Sequence, residues 1–142
     1  MGLLDKLKLG WDSVGFVVTH LKGWAPLDCK TEKDFENSLY AYLHAKLPDI
    51  QVTKQFAQGR LRADLNVGGK VIVELKNNLN TTAKYQRLIG QLAEYKEWDG
   101  RVVVLLTGAT DPHLRKELQS FLRKEGLSEE TLDGAKVTVF DK

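Results

Sequence analysis

One cysteine among 142 residues rules out an internal disulfide and a cysteine-held iron-sulfur cluster. Cys29 therefore reads as a small buried or half-buried side chain rather than a nucleophile. Histidine is sparse as well: His20, His44 and His113 stand apart, with no spacing that suits a metal, and each reads as an ordinary polar residue. No apolar run is long enough to cross a bilayer and no segment reads as a cleavable signal peptide, so a cytoplasmic protein is expected. A large excess of one charge is missing too. The net charge of +2 is too small to announce a nucleic-acid partner by itself.

What is there fits one soluble domain, long enough to bury a core, with ordinary apolar and charged content. The charge is unevenly spread. Between Gln51 and Arg101 nine basic residues stand against five acidic ones, a margin that suits a phosphate backbone, although most single lysines are simply solvated.

Periodicity sets out the elements. Thr31 with Asp34 resembles a capping pair that opens a helix, Phe35, Leu39, Tyr42, Leu43 and Leu47 give it an apolar stripe, and Pro48 stops it. Strands are expected near Val52 to Ala57, Arg60 to Val67 and Lys70 to Lys76, then a helix from about Ala83 to Trp98. The unbroken apolar run Val102 to Thr107 reads as a strand covered on both faces. A helix from Pro112 to Glu125 and a strand from Lys136 to Phe140 follow. Residues 1–30 are expected as an N-terminal amphipathic helical segment and 31–142 as the main domain. Together these predict an α/β fold, a mixed central β-sheet flanked by helices, in the order α-α-β-β-β-α-β-α-β.

Strand alternation brings the polar residues together. Leu61, Ala63, Leu65 and Val67 are expected on one face of their strand, with Arg62, Asp64 and Asn66 on the other. Matching apolar to apolar on the next strand requires Val67 opposite Val71, which places Asp64 opposite Glu74. That register excludes a two-residue Gly68-Gly69 turn and predicts a three-residue Gly68-Gly69-Lys70 loop with a glycine in the left-handed region. Two carboxylates and Lys76 on one sheet face are the makings of a metal-dependent phosphodiesterase. A hard cation such as Mg2+ or Mn2+ takes carboxylate and carbonyl oxygens, here Asp64, Glu74 and the Leu75 carbonyl. Lys76 would hold the attacking water or the scissile phosphate. Gln91 and Tyr95, four apart, share one helix face, with Lys84 and Arg87 on the adjoining stripe.

Asp64 with Glu74-Leu75-Lys76 resembles the central motif of the PD-(D/E)xK nuclease superfamily, the restriction-endonuclease-like fold; Ala63 stands where that motif carries its proline. The resemblance spans roughly Thr31 to Gly108. It implies an acidic residue on the preceding helix, for which Glu36 has a fitting position and Glu32 and Asp34 compete. Gln91-x-x-x-Tyr95 resembles the extra motif of the branch that holds recombination exonucleases and CRISPR-associated exonucleases, where it helps hold nucleic acid near the metal. The resemblance thus implies a nuclease, with DNA the expected partner, Lys76, Glu36, Asp64 and Glu74 as catalytic residues, and Gln91, Tyr95, Arg62, Lys84 and Arg87 toward nucleic acid.

Two other classes stay open: a catalytically silent nucleic-acid-binding module, and an interaction protein that recruits its partner through the N-terminal helix. In that segment Leu3, Leu4, Leu7, Trp11, Val14, Val17, Val18, Leu21 and Trp24 recur at helical spacing. Core or homodimer packing is favoured there over a membrane surface, because Lys6, Lys8 and Lys22 are nearly balanced by Asp5 and Asp12. Gly10 and Gly15 weaken a continuous helix.

Overall fold

The computed structural model describes residues 2–129 and 134–142. Three helices come first, α1 (Gly2–Trp11), α2 (Ser13–Gly23) and α3 (Glu32–Lys46). Then follow β1 (Val52–Gln58), β2 (Leu61–Val67), β3 (Val71–Asn77), α4 (Thr82–Tyr95), β4 (Arg101–Thr107), α5 (Pro112–Lys124) and β5 (Val137–Asp141). The chain is α/β, with a five-stranded mixed sheet flanked by helices, and from Thr31 onward the elements follow the expected order.

Side-chain caps decide where the helices begin. The N-terminal segment forms as two helices because the Asp12 carboxylate accepts the Gly15 N–H at 3.1 Å and starts α2 afresh. α2 buries Phe16, Val17 and Leu21, with Trp24 just beyond its end. On α1 Leu9 is buried, while Leu3, Leu4, Leu7 and Trp11 face outward. Thr31 opens α3 with the expected reciprocal cap: its hydroxyl accepts the Asp34 N–H at 3.1 Å and the Asp34 carboxylate accepts the Thr31 N–H at 3.0 Å. α4 stops at Tyr95, one turn short of the expected Trp98. There the chain turns, the Trp98 N–H donating to the Tyr95 carbonyl, and the indole packs near Phe56.

The strands lie in the order β1-β2-β3-β4-β5. The first three form an antiparallel meander, and β3, β4 and β5 are parallel. Each parallel step passes through a helix, and two successive crossovers of the usual right hand put α4 and α5 on one face. The helices α1 to α3 cover the other. Two cores result, one of Leu21, Trp24, Leu39 and Leu43 against Val71, Val73 and Leu75, the other of Leu88, Leu92, Leu118 and Leu122 against Ile72, Val102 and Val104. Burial on both sides explains the unbroken apolar run of β4.

The β2–β3 register is the expected one, Val67 opposite Val71, joined by Gly68-Gly69-Lys70 with φ of +61° at Gly68 and +71° at Gly69. The ladder ends at Leu65 opposite Val73, so β2 and β3 part before Asp64 and Glu74. The single-face expectation for β2 needs correction. Leu65 and Val67 enter the core beneath α1 to α3, whereas Leu61 and Ala63 enter the core beneath α4 and α5. The inversion falls at Asp64, where the otherwise continuous β1–β2 pairing skips Gln55 and Asp64, and Gln55 takes a left-handed φ of +51°.

Because the Thr31 cap fixes the start of the helix that carries Glu32 and Glu36, Thr31→Ala should lower stability by about 1 kcal/mol in urea unfolding. An unchanged midpoint would mean that packing alone sets where α3 begins.

Candidate active site

Asp64 occupies the opening between the parted strands. Its Oδ2 accepts the Leu75 N–H at 2.8 Å, a bond that a β2 carbonyl would make in a continuing ladder. Within a strand the N–H and C=O of one residue project toward the same neighbour, so the Leu75 carbonyl also faces this opening. Glu74 projects to the α4 side with Ile72 and is almost completely buried. Lys76, two residues on and on the same side, brings its Nζ to 3.6 Å from Glu74 Oε1.

α4 closes the site from one face. The Tyr95 hydroxyl lies 2.6 Å from Glu74 Oε2 and 2.6 Å from the Arg62 carbonyl oxygen. A hydroxyl carries one proton and a carbonyl can only accept, so both contacts are hydrogen bonds together only when a protonated Glu74 donates to the tyrosine oxygen. Burial, reinforced by the neighbouring Asp64 carboxylate, pushes Glu74 up to about 8. Burial likewise raises Asp64, against the Leu75 N–H and the Lys76 charge, which favour its ionised form. Burial and the Glu74 carboxylate hold Tyr95 far above its ordinary value, so it stays a neutral donor. Gln91, one turn earlier on the same helix stripe, has a buried Oε1 without a hydrogen-bond partner among the described residues.

From the other face α3 brings Glu36, buried, whose Oε1 accepts from Gln55 Nε2 at 2.8 Å and whose charge raises Asp64 further. Lys33 lies 3.7 Å from the same oxygen but is mostly solvated, so it adds little. Of the two competing acids, Asp34 is committed to the helix cap, and its backbone hydrogen bonds lower its carboxyl. Glu32 is at the rim. Its side chain reaches solvent, yet its carboxyl is hemmed in enough that burial raises it, with Lys76 opposing and Asp64 adding to the rise.

Not every expected residue converges. The Arg62 guanidinium turns back onto its own hairpin, donating to the carbonyls of Gly59 at 2.6 Å and Leu61 at 2.9 Å; its main-chain carbonyl is what meets Tyr95. Lys84 donates to the Asn78 carbonyl at 3.0 Å and is near enough to Glu32 to oppose its rise. Arg87 is exposed on the stripe between Lys84 and Gln91. Gln55 escaped the sequence reading, which set a register between β2 and β3 but none between β1 and β2, where Gln55 lies across from Asp64.

Among the described residues no three His, Cys, Asp or Glu side chains form a ready-made metal cluster. The donors that do meet are two carboxylates and one main-chain carbonyl, a hard oxygen set that suits a divalent cation completed by water or phosphate oxygens. A concavity of about 530 Å3 lies elsewhere, between α1 and α2 beside Trp11, Phe16 and His20.

No family model matches the chain, and no curated protein matches it. Among solved structures it is similar to SfsA of Pyrococcus furiosus, described in complex with Ca2+, with 16% identity and a TM-score of 0.44. The match covers 77% of this chain and 54% of that one, so the chain spans about half the length of SfsA. A likeness this slight says nothing about activity or ions in this chain.

Raising Glu74 from its ordinary 4.5 to about 8 means that the folded state holds the proton more tightly than the unfolded state. The stabilisation from protonation is complete below the lower value and is lost as pH rises through the upper one, an effect on the order of a few kcal/mol. With a chelator present, Glu74→Gln should therefore melt several degrees above the parent at about pH 9, with most of the gap gone near pH 5. A gap of the same size at both pH values would contradict a carboxyl that carries its proton when folded.

Proposed function

We propose that this chain is a metal-dependent nuclease that hydrolyses phosphodiester bonds in DNA. Asp64, Glu74 and the Leu75 carbonyl hold Mg2+ or Mn2+, and Lys76 aids attack of water. One observation carries the reading: the half-buried Asp64 and the fully buried Glu74 meet at the fork between β2 and β3, where burial and the Asp64 charge raise Glu74, and burial and the Glu36 charge raise Asp64. Such a pair is stable only with a proton or a cation between its oxygens. A divalent ion there would supply neutralising charge for the phosphate oxygens and a more acidic water. The Lys76 ammonium, beside Glu74, is placed to steady the attacking water or the scissile phosphate. Tyr95 fixes the orientation of Glu74, and Glu36 adds negative charge from behind Asp64. Gln91, Lys84 and Arg87 give α4 a polar and basic stripe for the phosphate backbone. The likeness of Asp64 and Glu74-Leu75-Lys76 to the PD-(D/E)xK motif points the same way.

Glu74 favours a second reading as well. Tyr95 holds one of its oxygens and Lys76 lies near the other, so protein groups already partner the carboxylate. A catalytically silent module of the same shape would bind nucleic acid and leave it intact.

A cleavage panel with Mg2+ or Mn2+ on single-stranded, duplex and branched DNA and on RNA separates the two. Asp64→Asn should abolish cleavage. Lys76→Ala should still bind metal and nucleic acid but cut more slowly by at least about a hundredfold. Full activity in Asp64→Asn, or a loss of affinity in Lys76→Ala that matches the loss of rate, would overturn the catalytic assignment. Metal binding without cleavage of any substrate would establish the silent module.

A further inference from the structure

We infer that Gln55 is the positioning residue of the carboxylate site, with its backbone releasing Asp64 from the sheet and its amide tethering Glu36. The inference rests on the nuclease reading only for what the site then binds.

Three observations meet at this residue. Gln55 has a φ of +51°, in the left-handed region that a residue with a side chain adopts at a cost. Glutamine has none of the local backbone bonding that lets asparagine or aspartate settle there, so something else must hold it. The β1–β2 ladder keeps one register on both sides, Lys54 opposite Leu65 and Phe56 opposite Ala63, yet Gln55 and Asp64 are left out. No residue has been inserted, so the break is a local rotation and not a slip of register. Finally, Gln55 Nε2 donates to Glu36 Oε1 at 2.8 Å, tying the distorted strand to a buried acid on α3.

These facts fit one device. Were Gln55 extended, Gln55 and Asp64 would pair, and β2 would keep its odd residues on one face throughout. The left-handed turn lets Leu61 and Ala63 go to the α4 core while Leu65 and Val67 stay with α3. Asp64 sits at the point of inversion, with its carboxylate free to cross the gap and take the Leu75 N–H. The same turn directs the Gln55 amide toward α3, where it fixes the acid whose charge reaches Asp64. Outer partners of this kind orient ligands without touching the ion, and losing one commonly weakens binding by about ten- to a hundredfold.

Two variants separate the backbone part from the side-chain part. Glycine adopts a positive φ freely, so Gln55→Gly keeps the turn and removes only the amide. Valine resists the left-handed region, so Gln55→Val opposes the turn itself. Amide hydrogen exchange at Leu75, measured without metal, reports the Asp64 bond; Mn2+ titration calorimetry reports the site. Gln55→Gly should keep Leu75 as protected as in the parent while its Mn2+ affinity falls by about tenfold or more. Gln55→Val should lose Leu75 protection selectively, with Val71 and Val103 unaffected. Equal Mn2+ affinity in the parent and Gln55→Gly would overturn the tether. Parent-like Leu75 protection in Gln55→Val, or its loss in Gln55→Gly, would overturn the backbone role. If Gln55→Val does not fold, Gln55→Ala, which also disfavours the left-handed region but less strongly, takes its place with the same expected loss of Leu75 protection. A parent protein that binds no Mn2+ would refute the metal-dependent reading and with it the tether's function, while Leu75 exchange would still judge the backbone role.

Discussion

The hydrogen bond from the Leu75 N–H to the Asp64 carboxylate is the contact on which the site depends. It falls just past the last β2–β3 pair, where a continuing ladder would have met main chain with main chain. A side chain takes over that acceptor role, the strands stay apart, and a gap opens in an otherwise closed sheet. Through it α3 and α4, which lie on opposite faces, bring Glu36 and Tyr95 to one place. A regular strand pair here would have filled the space with backbone.

Keeping the fork open crowds negative charge into a dry place. Burial raises both carboxyls, Asp64 pushes Glu74 up further, Glu36 does the same to Asp64, and Lys76 answers this only in part. The Tyr95 hydroxyl lies 2.6 Å from both Glu74 Oε2 and the Arg62 carbonyl oxygen, and its hydrogen bond to Glu74 opposes the rise without cancelling it. A buried carboxyl raised to about 8 holds its proton at neutral pH. On the proposed reading a cation would take the place of that proton, and its binding would release it.

Much of this was legible in the sequence, for identifiable reasons. Alternation in Leu61 to Val67 and Val71 to Leu75, with two glycines between, admits one register, and that register alone puts Asp64 opposite Glu74. Thr31 and Asp34 announced the start of α3, and the four-residue spacing of Gln91 and Tyr95 placed both on one stripe of α4. What escaped depended on contacts remote in sequence. Alternation assumes a strand that keeps its faces, so it missed the inversion at Asp64, which comes from a left-handed residue on the neighbouring strand. Arg62 looked available to a phosphate, but the carbonyls of its own hairpin lie within reach of its guanidinium. α4 ends at Tyr95 while the pattern runs on to Trp98, because tertiary packing beside Phe56 claims that indole.

The central claim is that Asp64 and Glu74 together hold a divalent cation at the fork. The most direct measurement is a crystal structure of the protein grown with Mn2+, with the ion located by its anomalous scattering. The account predicts one peak coordinated by both carboxylates and the Leu75 carbonyl, with Lys76 displaced from Glu74. Anomalous density elsewhere, or Glu74 still held by Tyr95 and Lys76 with no ion beside it at saturating Mn2+, would contradict it.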